Sequence, residues 1–176
     1  KVEKKNIFKK NTKNILAVGR FDEQKGFANL INIFSKIAKK IENWNLIIMG
    51  DGIERNKYKK MIKNNFLDNR IFLPGRVGNI SDFYNSADIF VLSSLYEGFP
   101  NVLLEAMSHG LPVISTNCKT GPSDIITDNI NGFLISMENI EYEFYNKLIL
   151  LIEDNELRKR FSNESIKVID NYSVET

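Results

Sequence analysis

Apolar residues are arranged in two patterns that alternate along this chain. Short continuous apolar runs are typical of strands buried on both faces, and apolar residues three or four positions apart are typical of amphipathic helices. The runs predict strands at 15–18, 45–49, 70–73, 89–92, 112–116 and 132–135. Helical spacing predicts helices at 27–41, 53–64, 80–86 and 101–108, a short one after Gly121, and two from Glu141 onward, parted near Asp154 and Asn155.

Strands that alternate with helices throughout predict a parallel sheet covered on both faces. We therefore expect an α/β, Rossmann-like, three-layer domain with a mainly parallel sheet of about six strands. Pro74 and Gly75 are expected to break the third strand. Residues 1–13 are basic and polar and are interpreted as a linker, and residues 14–176 as one domain.

Composition narrows the class of protein. The 176 residues fit one domain of ordinary size, and a net charge of +2 with dispersed lysines argues against a nucleic-acid partner. Cys118 is the only cysteine, which excludes an internal disulfide and fits a reducing compartment. No apolar run approaches the length of a membrane span. We expect a cytoplasmic protein, in which any peripheral association with the inner face of the membrane would depend on scattered basic residues.

The stretch from Glu97 to Glu105 joins the fourth predicted strand to a predicted helix. In an open α/β sheet this junction is a ligand site, because helix N-terminal amides converge there at the carboxyl ends of the strands. Gly98 has no Cβ and allows a ligand to approach the backbone. Pro100 suits the first turn of a helix, where its missing N–H leaves no bond unmade.

Glu105 is an unusual residue for this helix. Its neighbours are apolar on every side and predict a largely buried helix, in which an unpaired carboxylate would be costly. From the spacing alone, an internal ion pair with a Lys or Arg is the preferred interpretation. A carboxylate that accepts hydrogen bonds from ligand hydroxyls is the alternative.

The motif around these glutamates carries a resemblance to a known family. Seven residues separate Glu97 from Glu105, Gly98-Phe99-Pro100 lies between them, and Gly110-x-Pro112-Val113-Ile114 follows. This run resembles the family 4 (group 1) retaining glycosyltransferases. The resemblance implies the GT-B fold, in which two Rossmann-like domains enclose the active site. It spans nearly the whole chain but covers only the C-terminal, donor-binding domain, so the acceptor-binding N-terminal domain is expected to be absent from this chain.

The resemblance also implies the residues of a donor site. Arg20 and Lys25 would bind the phosphates, Glu97 would hold the donor sugar, and these three would act in catalysis. Glu105 would hold the ribose hydroxyls, the base would lie near Arg76 and Val77, and a plain turn explains Gly52 equally well. The full set of implied donor contacts is Gly19, Arg20, Lys25, Gly52, Arg76, Val77, Glu97, Gly98, Phe99, Pro100, Asn101, Val102 and Glu105.

The same residues imply chemistry without a metal or another cofactor. The sequence has no Asp-x-Asp pair, and an Arg and a Lys at a strand end can stabilise the growing charge of a leaving diphosphate. The resemblance implies retaining transfer of a hexosyl group from a nucleotide sugar, expected to be a UDP sugar. The acceptor would be a saccharide or lipid-linked molecule in the synthesis of a surface polysaccharide, bound through the missing domain.

Two other functions remain open at the level of sequence. A non-catalytic nucleotide-sugar-binding module would keep the binding residues and lack turnover. A sugar-nucleotide epimerase of similar two-domain architecture would need acid and base groups that the motifs do not supply.

Overall fold

Six parallel strands form a single sheet at the centre of the molecule. The structure, a computed structural model, describes residues 11–172. The strands are β1 (Lys13–Val18), β2 (Trp44–Met49), β3 (Ile71–Gly75), β4 (Ile89–Leu92), β5 (Val113–Thr116) and β6 (Gly132–Ile135). Their order in the sheet is β3-β2-β1-β4-β5-β6, and every pair is parallel. The predicted α/β, Rossmann-like class and the number of strands are confirmed.

Helices connect the strands and cover both faces of the sheet. They are α1 (Phe27–Ala38), α2 (Arg55–Asn64), α3 (Ser81–Tyr84), α4 (Asn101–Ser108), α5 (Pro122–Ile125), α6 (Ile140–Glu153), α7 (Asn155–Ser165) and α8 (Ile169–Tyr172), with 3-10 turns at Glu23–Lys25 and Ile166–Val168. The predicted division between α6 and α7 is confirmed. It falls at Asp154, whose carboxylate caps α7 by accepting a hydrogen bond from the Leu157 amide at 2.8 Å.

The core consists of one apolar layer on each face of the sheet. Alternate residues of β1 show the division, because Ile15 and Ala17 belong to one layer and Leu16 to the other. Helices α1, α2, α6 and α7 contribute to the layer that contains Ile15, and α3, α4 and α5 to the layer that contains Leu16. All three of these β1 residues are fully buried, which explains why this strand is continuously apolar in sequence.

The ends of the third strand and of the linker are among the predicted boundaries that differ from the structure. The prediction that Pro74 and Gly75 break the third strand is wrong, because β3 continues through both residues. β3 is at an edge of the sheet, where a proline without an N–H is tolerated. Most of the predicted linker lies outside the described residues, and its last residue, Lys13, is the first residue of β1.

The opposite edge of the sheet has its own local bonds. The Leu134 amide of β6 donates to the carboxylate Oδ1 of Asp128 at 2.9 Å. The Asn129 amide donates to the Gly132 carbonyl, also at 2.9 Å. The loop before β6 therefore satisfies polar backbone groups of this edge strand.

No helix within residues 11–172 is both long enough and apolar enough to cross a bilayer.

Candidate functional site

The order in which the chain adds strands to the sheet reverses at β1, which has β2 on one side and β4 on the other. Loops that leave neighbouring strands on opposite sides of such a point open a crevice at the carboxyl ends of the strands. The loops after β1 and β4 are bonded together here. The Leu95 amide donates to the Gln24 carbonyl at 2.7 Å, and the Ser93 hydroxyl donates to the Lys25 carbonyl at 2.8 Å.

Gly26 makes this close approach possible. It is buried, it adopts the left-handed conformation with φ 62°, and it ends the 3-10 turn. A Cβ at this position would lie 2.1 Å from the Ser93 carbonyl oxygen. Only glycine fits both the conformation and the space. Asp22 begins the same turn and accepts a hydrogen bond from the Lys25 amide at 3.3 Å.

Lys25 and Glu97 form an ion pair across the crevice. Their Nζ and Oε1 atoms are 2.5 Å apart, and only 15% of the Lys25 side chain and 7% of the Glu97 side chain are exposed. Oε1 of Glu97 also accepts a hydrogen bond from the Ser94 hydroxyl at 2.6 Å. The structure thus joins two of the predicted site residues directly, although they are far apart in sequence.

Arg20 has a different environment from Lys25. Its side chain is 68% exposed, and its Nε lies 2.5 Å from the Asp22 carboxylate. Gly19 precedes it, and a Cβ on Gly19 would lie 3.1 Å from Cγ and Cδ of Lys25. The missing side chain of Gly19 therefore leaves room for the Lys25 stem to cross the loop toward Glu97.

A cavity of about 380 Å³ lies at the carboxyl ends of β1, β2 and β3. It brings predicted phosphate-site and base-site residues together, and its lining is Val18, Gly19, Arg20, Met49, Gly50, Asp51, Gly75, Arg76, Val77 and Ile80. Gly52 is not among these residues. A Cβ on Gly52 would lie 2.5 Å from the Phe21 carbonyl oxygen, so its immediate role is the close packing of two loops.

Two larger cavities lie away from the strand ends. One of about 650 Å³ lies between α1 and α6, and one of about 420 Å³ lies between α2 and β3. Neither is lined by any of the predicted site residues. We place the candidate site at the smaller cavity because it adjoins the point where the strand order reverses and contains Arg20.

The entry to α4 contains the remaining motif residues. Pro100 occupies the position before the helix, and the Leu103 amide donates to its carbonyl at 2.9 Å. Asn101 and Gly98 are exposed, and the Phe99 ring is 48% exposed with its centroid 5.9 Å from that of Tyr172. These residues follow Glu97 directly in the chain, and their contacts with a ligand remain a prediction, as does that of Val102.

The structure differs from two expectations about Glu105, namely that its helix is largely buried and that its carboxylate forms an internal ion pair. The helix is buried on one side only, through Leu103, Ala106 and Met107, and Glu105 is exposed on the other side. No Lys or Arg among residues 11–172 pairs with its carboxylate, so the prediction of an internal ion pair is wrong. Its Oε2 atom instead accepts a hydrogen bond from the Tyr84 hydroxyl at 2.9 Å.

Tyr84, the hydrogen-bond partner of Glu105, is a residue that the sequence analysis missed. Its ring is 1% exposed, and burial, followed by the charge of Glu105, raises the pKa of its hydroxyl. The phenol therefore stays protonated and donates to the carboxylate. The only sequence signal is an aromatic residue on the apolar face of a short helix, which core packing explains equally well.

Comparison with known proteins identifies the family. A family model described as glycosyl transferases group 1 matches residues 1–168. The chain belongs to this family. The chain spans about half the length of the curated relatives it matches. The amylovoran biosynthesis glycosyltransferase AmsD of Erwinia amylovora, for example, is 34% identical over 169 residues, which are 96% of this chain and 47% of AmsD.

Solved structures of glycosyltransferases share the fold. A mutant of S. aureus TarM in complex with Fondaparinux, alpha-GlcNAc-glycerol and UDP matches with a TM-score of 0.87 at 29% identity, over 93% of this chain and 33% of TarM. The C-terminal domain of LpcC, a glycosyl transferase group 1 family protein from Francisella tularensis, matches with a TM-score of 0.83 at 27% identity, over 93% of this chain and 87% of that domain. The predicted family and the correspondence to a GT-B C-terminal domain are confirmed.

Proposed function

We propose that this group 1 glycosyltransferase chain is the donor-binding half of a retaining, metal-independent enzyme that uses a UDP sugar. The observation that carries the proposal is the Lys25–Glu97 pair, which joins the loops after β1 and β4. The Lys25 stem passes beside Gly19, which lines the cavity together with Arg20. The complex of TarM with UDP supports the choice of donor, and the name of AmsD supports a role in polysaccharide synthesis.

The proposed donor site runs along the crevice from the cavity to Glu97. The uracil base would occupy the cavity beside Arg76 and Val77, and the diphosphate would lie between Arg20 and Lys25. Glu105 would accept hydrogen bonds from the ribose hydroxyls. Glu97 would hold the donor sugar, and the amides of residues 98–102 would add the positive end of α4.

The chemical step needs a positive environment for the leaving group. The bond between the anomeric carbon and the diphosphate oxygen breaks, and the acceptor oxygen bonds to the same face of that carbon. The acceptor proton passes to the leaving phosphate oxygen, so no enzyme carboxylate forms a covalent bond. Arg20 and Lys25 would stabilise the negative charge that develops on the diphosphate, in the place where other enzymes use a metal ion.

The Lys25–Glu97 pair would link charge stabilisation to sugar binding. Glu97 holds the ammonium group beside the crevice in the free protein. A diphosphate would share that ammonium, and Glu97 would then be free to accept hydrogen bonds from sugar hydroxyls. The hexosyl acceptor, a saccharide or a lipid-linked molecule, would bind through the other half of a GT-B enzyme.

Calorimetry with UDP, GDP and uridine tests the donor assignment. We expect millimolar or tighter binding of UDP, weaker binding of GDP, and a loss of about 10-fold or more in UDP affinity for Arg20→Ala, because a charge-assisted contact with phosphate is removed. Uridine has no phosphate, and its affinity should not change. Arg160→Ala, which removes an exposed arginine of α7, is the matched control and should bind UDP as the wild type does.

The outcomes separate the donor site from the enzymatic mechanism. If UDP does not bind at millimolar concentration, or if Arg20→Ala binds it unchanged, the donor site is wrong. A protein that contains both halves should transfer the sugar in the presence of EDTA with the anomeric configuration retained. Donor binding without transfer would instead identify a non-catalytic module, and conversion of the free nucleotide sugar would identify an epimerase.

A further inference from the structure

We propose that Tyr84 is a positioning residue for ribose recognition, in which its hydroxyl holds one oxygen of the Glu105 carboxylate so that the other is available to the ribose hydroxyls. This inference rests on the proposed function of the donor site and assigns that site a residue outside its motifs. It concerns specificity for the ribose rather than the chemical step.

The Tyr84 side chain is buried and makes contacts through both its hydroxyl and its ring. Its hydroxyl lies 2.9 Å from Oε2 of Glu105 and 3.4 Å from the Val102 carbonyl, which it contacts on the same helix. The ring packs beside Phe90 and His109, with centroids 6.0 Å and 5.0 Å away. A hydrogen-bond donor fixed in this way can restrict the exposed Glu105 carboxylate, which would otherwise sample several rotamers.

Helix α3 connects this contact to the cavity. Ile80, the residue before the helix, lines the cavity, and the Tyr84 amide donates to its carbonyl at 3.2 Å. Ile80 and Tyr84 are therefore one helical turn apart on the same face, and both pack in the apolar layer beneath α4. Ile80 thus belongs both to the wall of the cavity that would hold the base and to the helical turn that leads to Tyr84.

The direction of the hydrogen bond is fixed by the proton on Tyr84. Burial and the neighbouring Glu105 charge raise the pKa of the phenol, so the tyrosine donates and the carboxylate accepts. The carboxylate keeps its second oxygen, and further lone pairs, for donors from a ligand. Ordering this side chain before the ligand arrives lowers the entropic cost of binding, and a site built to accept hydroxyl hydrogens discriminates against an analogue without them.

A comparison of UDP with 2′,3′-dideoxy-UDP tests the inference. We expect wild-type protein to prefer UDP, and Tyr84→Phe, which removes one oxygen and keeps the ring, to lower UDP affinity about 5-fold. The affinity for the dideoxy compound should change less than about 2-fold, because the lost interaction acts through the ribose hydroxyls. Calorimetry gives both values, and thermal unfolding confirms that the variant is folded at the temperature used.

The double variant strengthens the test. In Glu105→Ala the preference for UDP should disappear, and adding Tyr84→Phe to it should have no further effect on the ratio of the two affinities, because Tyr84 acts through Glu105. Tyr58→Phe is the matched control. Tyr58 is also 1% exposed, and its hydroxyl donates to the Asp22 carbonyl at 3.1 Å on the other side of the sheet. Any effect of Tyr58→Phe should be equal for the two ligands.

Each outcome decides a separate question. Failure of the wild type to bind UDP overturns the donor site and the inference together. Binding of UDP without preference over the dideoxy compound removes Glu105 from ribose recognition and overturns the role of Tyr84. An unchanged preference in Tyr84→Phe overturns the role of Tyr84 alone and leaves the donor site intact.

Discussion

Glu97 and Glu105 belong to one motif, yet the fold gives them opposite surroundings. The Glu97 side chain is 7% exposed and is bonded to an ammonium and a hydroxyl, whereas Glu105 is exposed and is bonded to a neutral phenol. The difference indicates that the two carboxylates contribute differently to the stability of the fold. At the Glu97 end, we expect the proposed ligand-binding groups also to stabilise the fold. At the Glu105 end, we expect the fold not to depend on the carboxylate that Tyr84 contacts.

The strongest test of this contrast removes the charge on Lys25. Lys25→Met leaves the Glu97 carboxylate poorly solvated, with Ser94 as its one side-chain partner among residues 11–172. It should lower the free energy of unfolding by about 3 kcal/mol. The double variant Lys25→Met/Glu97→Leu should recover most of this loss, because both charges are then gone. Urea denaturation measures both values.

A matched lysine provides the control for that test. Lys36 pairs with Glu141 at the same distance of 2.5 Å, but the two side chains are 57% and 59% exposed. Lys36→Met should therefore change stability by less than about 0.5 kcal/mol. If Lys25→Met costs no more than Lys36→Met, the ion pair in the crevice is not part of the stable core.

The second test concerns the glycine that brings the two loops together. Gly26→Ala should cost about 2 kcal/mol or more, since it forces an L-residue into a left-handed conformation and places a methyl group against the Ser93 carbonyl. Gly98→Ala is the control, because a Cβ there meets no atom within 4 Å. If the two variants unfold at the same temperature, the loops after β1 and β4 can move apart without loss of stability.

The third test examines the Glu105 end of the crevice. Glu105→Ala should weaken UDP binding by about 1–3 kcal/mol, the range for hydrogen bonds to a charged group. The same substitution should change unfolding by less than about 1 kcal/mol, because an exposed side chain is removed and Tyr84 keeps its contact with the Val102 carbonyl. A large loss of stability with unchanged UDP affinity would reverse the assignment.

The smallest effect on stability is expected for Arg20. The Arg20 side chain is 68% exposed, and Asp22, at 19% exposed, keeps its bond to the Lys25 amide, so Arg20→Ala should change the free energy of unfolding by less than about 0.5 kcal/mol. Its contribution should be seen instead in the salt dependence of UDP affinity, which should be shallower in the variant because one positive charge facing the diphosphate is lost. A loss of stability as large as that of Lys25→Met would remove the distinction between the two cations.

The regular parts of the fold could be predicted from sequence because their signals are local. The apolar runs predicted all six strands, and the break between α6 and α7 followed from Asp154 and Asn155. Pro74 misled the prediction because local chemistry does not reveal that β3 is an edge strand. The apolar neighbours of Glu105 likewise concealed that one side of α4 faces solvent.

The site was predictable through motif resemblance but its contacts were not. Resemblance placed Lys25 and Glu97 in one site, yet the direct bond between them depends on how two loops meet after folding. Tyr84 gave no usable signal, since its partner Glu105 lies on another helix and the bond is created by packing. Side-chain contacts between distant segments are therefore the part that required the structure.

The bonds at the two borders of the sheet have a consequence for solubility. An open sheet presents a row of unpaired backbone groups at each border, which can recruit strands from other molecules and begin aggregation. Pro74 contributes no donor to the β3 border, and Asp128 occupies the Leu134 amide at the β6 border. Neither edge strand therefore presents a continuous row of free backbone hydrogen-bonding groups to a strand from another molecule. We expect this to disfavour self-association through the sheet edges.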